Sequence, residues 1–255
     1  MTMRPKAKFS CKALLLLLMA VGSQQQMGAQ TVQAFDQAAG TLRLDTTRLV
    51  SITGQPPPTG SVEASNDRAV LLWLQNTRTP EMESNSWLTL ERDPIFFSRA
   101  LGIDMVKLTP KLNSGLRSFM APMDEVLGTI KKATNRPRPY QQYTDLRPCL
   151  PREDSASFPS GHSTWYRAAS ELLADLLPVR RQRLLQVGFH AGASRVMCGV
   201  HFPSDVQAGQ RLGAAGAQQI ISSPQWRAFR DNPQIQAELQ RLREVPETTL
   251  PLLVR

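Results

Sequence analysis

Phe158-Pro159-Ser160-Gly161-His162-Ser163 and, further on, Ser194-Arg195-Val196-Met197-Cys198-Gly199-Val200-His201-Phe202-Pro203-Ser204-Asp205 hold two of the three histidines of this 255-residue chain. Upstream, Lys131 and Arg138-Pro139 complete an ordered series: K-x6-R-P, then P-S-G-H, then S-R-x5-H-x3-D. Each block falls where the pattern places a helix end. Lys131 closes an apolar-periodic run, Ser160 or Gly161 opens another, and Pro203 suits a first helical turn. We read the series as a phosphate-binding site with a histidine nucleophile, carried on the ends of packed helices.

Working outward, the periodicity predicts helices throughout. One starts near Ser65, with Ala69, Leu72, Trp73 and Leu74 as its apolar face, and closes at Pro80. A second helical region covers about Ser84 to Leu101, broken around Pro94. A third runs from Thr109 or Pro110 to Lys132, with Leu112, Leu116, Met120, Met123, Leu127 and Ile130 at helical spacing. Helices are then expected over Ser160–Leu177, Arg181–Val196, Pro203–Ile221 and, as a single element, Pro224 or Gln225 to Arg243. Leu and Ala dominate the apolar positions, and no alternating strand pattern occurs. The fold class is therefore all-α, a compact multi-helix bundle. Residues 140–158 read as a long, functional loop.

The domain plan has four parts. Residues 1–29 read as a signal peptide: Arg4, Lys6, Lys8 and Lys12 precede the apolar run Ala13–Val21, and small residues follow. Residues 30–60, ending in Pro56-Pro57-Pro58, read as an extended arm. Residues 61–245 form the helical domain and 246–255 a tail. No later apolar stretch is long enough for a membrane span. Loss of the four leader cations brings the net charge from +9 to +5. That balance suits anionic substrates, and no DNA- or RNA-binding motif accompanies it. Cys11 leaves with the leader, so Cys149 and Cys198 remain as an even pair in an exported, periplasmic chain. We read them as a disulfide rather than two buried thiols. Closing that loop is worth roughly 4 kcal/mol in the chain-entropy picture.

The chemistry follows from residue types. Phosphoryl transfer passes through a flat PO3 unit, so catalysis is mostly positioning and charge stabilisation. Lys131, Arg138 and Arg195 can cage three oxygens, and an arginine fork can hold two at once. Ser160 and Gly161 at a helix start add a hydroxyl and backbone N–H groups. His201 is the expected nucleophile, because Asp205 at i+4 can fix its tautomer. His162 is the expected acid for the leaving alkoxide and base for water. Arg136 offers a competing R-P without a lysine seven residues before it, and His190 receives no role.

These three blocks resemble the signature of the type 2 phosphatidic acid phosphatase superfamily, which includes vanadium haloperoxidases. Within it the chain is most similar to the bacterial class A non-specific acid phosphatases, over roughly residues 55–243. The resemblance rests on the signature, on P-P-P before a first helix with N-D, on S-F-P-S-G-H-S and on G-A-S-R-V-M-C-G-V-H-F-P-S-D-V. It implies an all-helical, periplasmic phosphomonoesterase acting without metal or cofactor through a phosphohistidine, with phosphotransfer to alcohols as a further activity. By motif position it implies Lys131, Arg138, Ser160, Gly161 and Arg195 as phosphate ligands. It also implies His162 as acid, His201 as nucleophile, Asp205 as orienting partner, and a homo-oligomer, commonly a dimer. Phe158, Ser163 and Phe202-Pro203 depart from the class pattern and bear on substrate breadth. The alternatives are a non-catalytic phosphate- or polyanion-binding periplasmic protein and a vanadate-dependent haloperoxidase.

Overall fold

A computed structural model of the chain describes residues 35–250. The expected signal peptide, the first residues of the expected arm and the last five residues lie outside them. We number the helices in chain order. Residues 35–40 form α1, followed by α2 (Thr46–Thr53), α3 (Val62–Thr77), α4 (Pro80–Trp87), α5 (Ser98–Leu101), α6 (Met105–Leu108) and α7 (Pro110–Thr134). Then come α8 (Pro139–Gln142), α9 (Gly161–Leu176), α10 (Arg181–Met197), α11 (Pro203–Ser222), α12 (Pro224–Arg230) and α13 (Pro233–Arg243). No strand occurs among the described residues, as the all-α expectation requires.

Helix α9 sits at the centre, packed by α7, α10 and α11. Nearly all of it is buried, from Gly161 to Leu176. Such a helix needs neighbours that can approach its backbone. On α11, Gly209 provides this: a Cβ there would lie 2.7 Å from the Ser160 carbonyl oxygen. The small residues of α11 thus bring the start of that helix, with Asp205, against the start of α9, with Ser160. The Ser160 N–H donates to the Asp205 carbonyl at 3.0 Å and locks the two helix starts together.

The sequence reading needs four corrections. First, 30–60 is not one extended arm. Residues 35–40 and Thr46–Thr53 are helical, and Phe35, Ala39, Leu42 and Leu49 enter the core. Their apolar side chains gain more by burial than an exposed arm could; only the proline-bearing stretch between α2 and α3 lacks helix. Second, the region from Ser84 is not helical as far as its expected break around Pro94. Helix α4 ends at Trp87 and a loop leads to a short 3₁₀ turn, Pro94–Phe97. That break turns backbone carbonyls toward the site. Third, 224–243 is two helices. Asn232 accepts from the Gln234 N–H at 2.9 Å, and Pro233 occupies the first turn of α13. Helix α13 is placed by Glu238, which accepts from the Lys111 and Leu112 N–H groups at 3.2 and 2.8 Å. It thereby caps the start of α7, which has no side-chain cap of its own.

The face of α3 also differs. Its buried residues are Ala64, Asp67 and Leu71, whereas Trp73 is 63% exposed. A buried aspartate broke the apolar period that the reading followed.

Cys149 and Cys198 are joined in a disulfide, and the Cys149 N–H donates to the Cys198 carbonyl at 3.1 Å. The bond ties the 140–158 loop to the end of α10. A Cys149→Ser/Cys198→Ser double variant is expected to lose about 2–4 kcal/mol of stability, read as a lower denaturation midpoint. An unchanged midpoint would remove the bond from the fold's support.

Candidate active site

The ends of α7, α9, α10 and α11 bring the three sequence blocks together. Lys131, on the last turn of α7, donates from Nζ to the Ala156 carbonyl. Arg138, just before α8, is completely buried. Its Nε donates to the Ser155 carbonyl at 2.8 Å. Its Nη1 donates to the Val200 carbonyl and to His201 Nε2, each at 2.9 Å. Its Nη2 donates to Glu153 Oε2 at 2.7 Å and to Ser155 Oγ at 2.9 Å. Because a guanidinium has no acceptor, His201 Nε2 must present its lone pair. The ring proton is therefore on Nδ1, which faces Asp205 Oδ2 and Ser157 Oγ, each at 3.4 Å.

Asp205 is held from several directions. Its Oδ2 accepts from the Phe202 N–H at 2.9 Å and from Ser157 Oγ at 2.5 Å. Its Oδ1 accepts from Arg136 Nη1 at 2.6 Å. Arg136 also donates to Ser204 Oγ at 2.7 Å and to Asp67 Oδ2 at 3.0 Å, and stacks on the Phe202 ring at 4.0 Å. Asp67 in turn accepts from the Ser204 N–H at 3.0 Å and from its hydroxyl. Burial pushes the Asp205 carboxyl up, and Arg136, Ser157 and the Phe202 N–H oppose that rise.

Ser160 caps α9, accepting from the Ser163 N–H at 3.3 Å, and the Thr164 N–H donates to the Ser160 carbonyl at 3.0 Å. The N–H groups of Gly161 and His162 carry no intrahelical bond, which is the anion-seeking arrangement of a helix start. His162 Nε2 donates to the Leu90 carbonyl at 2.8 Å. Arg195, on the last turn of α10, donates from Nη2 to the Thr89 carbonyl and hydroxyl at 2.8 and 2.6 Å. The loop after α4 thus orients both residues. Gly199, with φ of +66°, lets the chain turn back so that the Val200 and His201 N–H groups meet the Arg195 carbonyl at 3.0 and 3.3 Å.

Burial and nearby cations depress the basic groups. Burial, then Arg138 and Lys131, holds His201 well below its ordinary value. Burial and Arg195 bring His162 down to about 4. Burial, then Arg138, brings Lys131 to about 8, and burial lowers Arg195 to about 10. Near neutral pH both site histidines are neutral while the caging cations keep their charge. Among the described residues no group of three or more His, Cys, Asp or Glu side chains is placed to hold a metal ion.

All eight sequence-predicted residues stand around this cluster: Lys131, Arg138, Ser160, Gly161, His162, Arg195, His201 and Asp205. The reading missed Asp67, Arg136, Glu153 and Ser157, as well as the carbonyl of Leu90 and Thr89. Arg136 had a signal, the doubled R-P-R-P, and Asp67 had the N-D of the first helix. Glu153 had none beyond lying in a long loop.

A family model described as PAP2 superfamily matches residues 119–229. Residues 119–229 are thus similar to the PAP2 superfamily. The matched stretch runs from within α7 to the last turn of α12 and holds every predicted site residue. The chain is 28% identical over 200 residues to a non-specific acid phosphatase of Providencia stuartii, covering 74% of this chain and 77% of that protein. It is 26% identical over 266 residues to an acid phosphatase of Zymomonas mobilis, covering 97% and 96%. A solved transmembrane PAP2-type phosphatidylglycerolphosphate phosphatase from Bacillus subtilis aligns at 21% identity, with a TM-score of 0.47 over 75% of this chain and 92% of that one. No helix among the described residues here is long and apolar enough to cross a membrane. The PAP2 match and the acid phosphatase relatives support phosphatase activity.

Proposed function

We propose that this protein is an exported acid phosphatase that hydrolyses phosphate monoesters through a phosphohistidine on His201. The observation that carries the reading is the His201 tautomer. Arg138 Nη1 donates to Nε2 at 2.9 Å, and Asp205 faces Nδ1. Nε2 thus presents a lone pair inside a cationic cage, and Asp205 is set to stabilise the positive ring that forms.

When an ester's phosphoryl group enters, its oxygens take donors from Lys131, Arg138, Arg195 and the first turn of α9. Nε2 attacks phosphorus as the bond to the leaving oxygen breaks. His162 supplies the proton to that oxygen. Its Nε2–H is tied to Leu90, so Nδ1 is the atom that carries the transferred proton. His162 then takes a proton from water, the water oxygen attacks phosphorus, the P–N bond breaks and inorganic phosphate leaves. An alcohol in place of water completes a phosphotransfer. Export is supported by the leader pattern of residues 1–29 and by the Cys149–Cys198 disulfide.

The pH dependence has a definite sign. His162 must be protonated to act as acid, yet it sits near 4 in the unliganded protein. An anionic ester beside it raises that value. The alkaline limb of kcat should therefore lie at higher pH than that of kcat/KM. A kcat limb at equal or lower pH would remove His162 as the acid. His201, held well below its ordinary value by burial and by Arg138 and Lys131, is neutral at and for some way below the pH where a free imidazole would protonate.

The reading is tested by release of p-nitrophenol from its phosphate ester in excess EDTA, with chemical trapping of the phosphoryl-protein. Turnover with an acid-labile, alkali-stable phosphoryl bond on His201 is expected. Binding of phosphate without turnover would favour a phosphate-binding protein, and bromide oxidation with vanadate and peroxide would favour a haloperoxidase.

A further inference from the structure

Arg138 presents a conflict that the proposed phosphatase chemistry does not resolve by itself. A guanidinium has five N–H donors. All five are engaged, by the Ser155 and Val200 carbonyls, Ser155 Oγ, His201 Nε2 and Glu153 Oε2. A residue expected to grip phosphate thus has no donor to offer until a partner withdraws. Two partners are backbone carbonyls and stay with the chain. His201 Nε2 releases its donor when it turns to phosphorus. Among the charged partners, only the Glu153 carboxylate is an anion, and its side chain is 37% exposed and has room to swing out.

We propose that Glu153 is the site's internal competing anion: its carboxylate occupies Arg138 in the unliganded protein, is displaced by the incoming phosphoryl group, and so sets the affinity for phosphate. This rests on the phosphatase reading only for the identity of the ligand. A carboxylate and a phosphate offer the same kind of oxygen acceptors to a guanidinium, so they compete for one position. The carboxylate is delivered by a fixed loop. The Glu153 N–H donates to the Tyr140 hydroxyl at 2.8 Å, and that hydroxyl donates to the Glu153 carbonyl at 2.9 Å. Arg152 lies over the Tyr140 ring at 5.3 Å. The disulfide at Cys149 anchors the loop on one side. The Ser157 N–H, bonded to the Arg136 carbonyl at 2.8 Å, anchors it on the other. Only the side chain of Glu153 needs to move.

The charge setting agrees. Burial works to raise the Glu153 carboxyl, but Arg138, His201 and His162 hold it below its ordinary 4.5. Lys131 on α7 and Arg195 on α10 also feel its charge, and Arg152 and Asp154 flank it on its own loop. The competitor is therefore ionised at and somewhat below its ordinary 4.5, and is lost only as pH falls further.

The test is direct binding of inorganic phosphate by titration calorimetry, alongside KM for p-nitrophenyl phosphate, in wild type, Glu153→Gln and Glu153→Ala. Both variants should bind phosphate about three- to tenfold more tightly, and KM should fall in step. The gain should hold from neutral pH through the ordinary carboxylate range and shrink only at lower pH, as Glu153 becomes protonated. If Glu153 merely positions Arg138, both variants will bind phosphate more weakly, or equally well at all pH values; either result overturns the proposal. The arms separate the two readings. Absent turnover with tighter phosphate binding in the variants defeats the phosphatase reading and keeps this one. Normal turnover with unchanged or weaker binding does the reverse.

Discussion

His201→Ala is expected to lose at least about 10⁴-fold in kcat on p-nitrophenyl phosphate. The size follows from what the ring does. Its Nε2 is the only lone pair of the predicted site that lies against the Arg138 guanidinium, and Asp205 stands on the opposite edge. Removing the imidazole takes away the atom that bonds to phosphorus while leaving Lys131, Arg195 and the start of α9 in place. Phosphate should therefore still bind, with Arg138 freed of one partner. The buried cavity left behind lowers the melting temperature, so turnover is compared well below the variant's own midpoint. Turnover within about tenfold of wild type would move the nucleophile elsewhere.

Arg136→Ala is expected to be the most damaging substitution for the fold around the site. Arg136 is 9% exposed and bridges two carboxylates, Asp67 at 3.0 Å and Asp205 at 2.6 Å, both nearly or fully buried. Its loss strands both. Breaking a buried pair by removing one partner costs roughly 3–5 kcal/mol, which lowers the melting temperature by roughly 6–20 °C in a domain of this size. Activity should fall too, because without Arg136 the burial that pushes Asp205 up is less opposed, and a protonated Asp205 no longer favours a positive His201 ring. Adding Asp67→Asn to Arg136→Ala should recover part of the stability, since one stranded charge is then removed. A melting temperature unchanged in the single variant would contradict the clamp.

Much of the site was legible because its signals are local. Ser160 and Gly161 announce a helix start by residue type alone. Lys131 lies at the end of a run whose periodic residues Leu112, Leu116, Met120, Met123, Leu127 and Ile130 are all buried in the structure. His201 and Asp205 are four apart with Pro203 between them, so their facing geometry needs little beyond a helix beginning at that proline. The helix starts at Pro110, Pro203 and Pro224 were readable for the same reason, whereas the break at Asn232-Pro233 was not drawn. The apolar stripe continues across it in Ile235, Leu239 and Leu242. Periodicity sees a stripe but not the turn inside it.

What the sequence by itself determined, then, is the helical class, the order of the three blocks and the identity of the groups that bear the chemistry, because each depends on neighbours within a turn or two of helix. What only the tertiary structure decided are the pairings across long separations. Arg136 meets Asp205 and Asp67, each 69 residues away, and a buried Asp67 replaces the apolar face expected on α3. The loop after α4 turns the Leu90 and Thr89 carbonyls onto His162 and Arg195. Glu153 reaches Arg138 from a loop with no periodicity to read. The physical reason is common to all of them. A polar group becomes a functional partner only when packing removes it from water, and which groups are removed together is a property of the packed helices, not of their order along the chain.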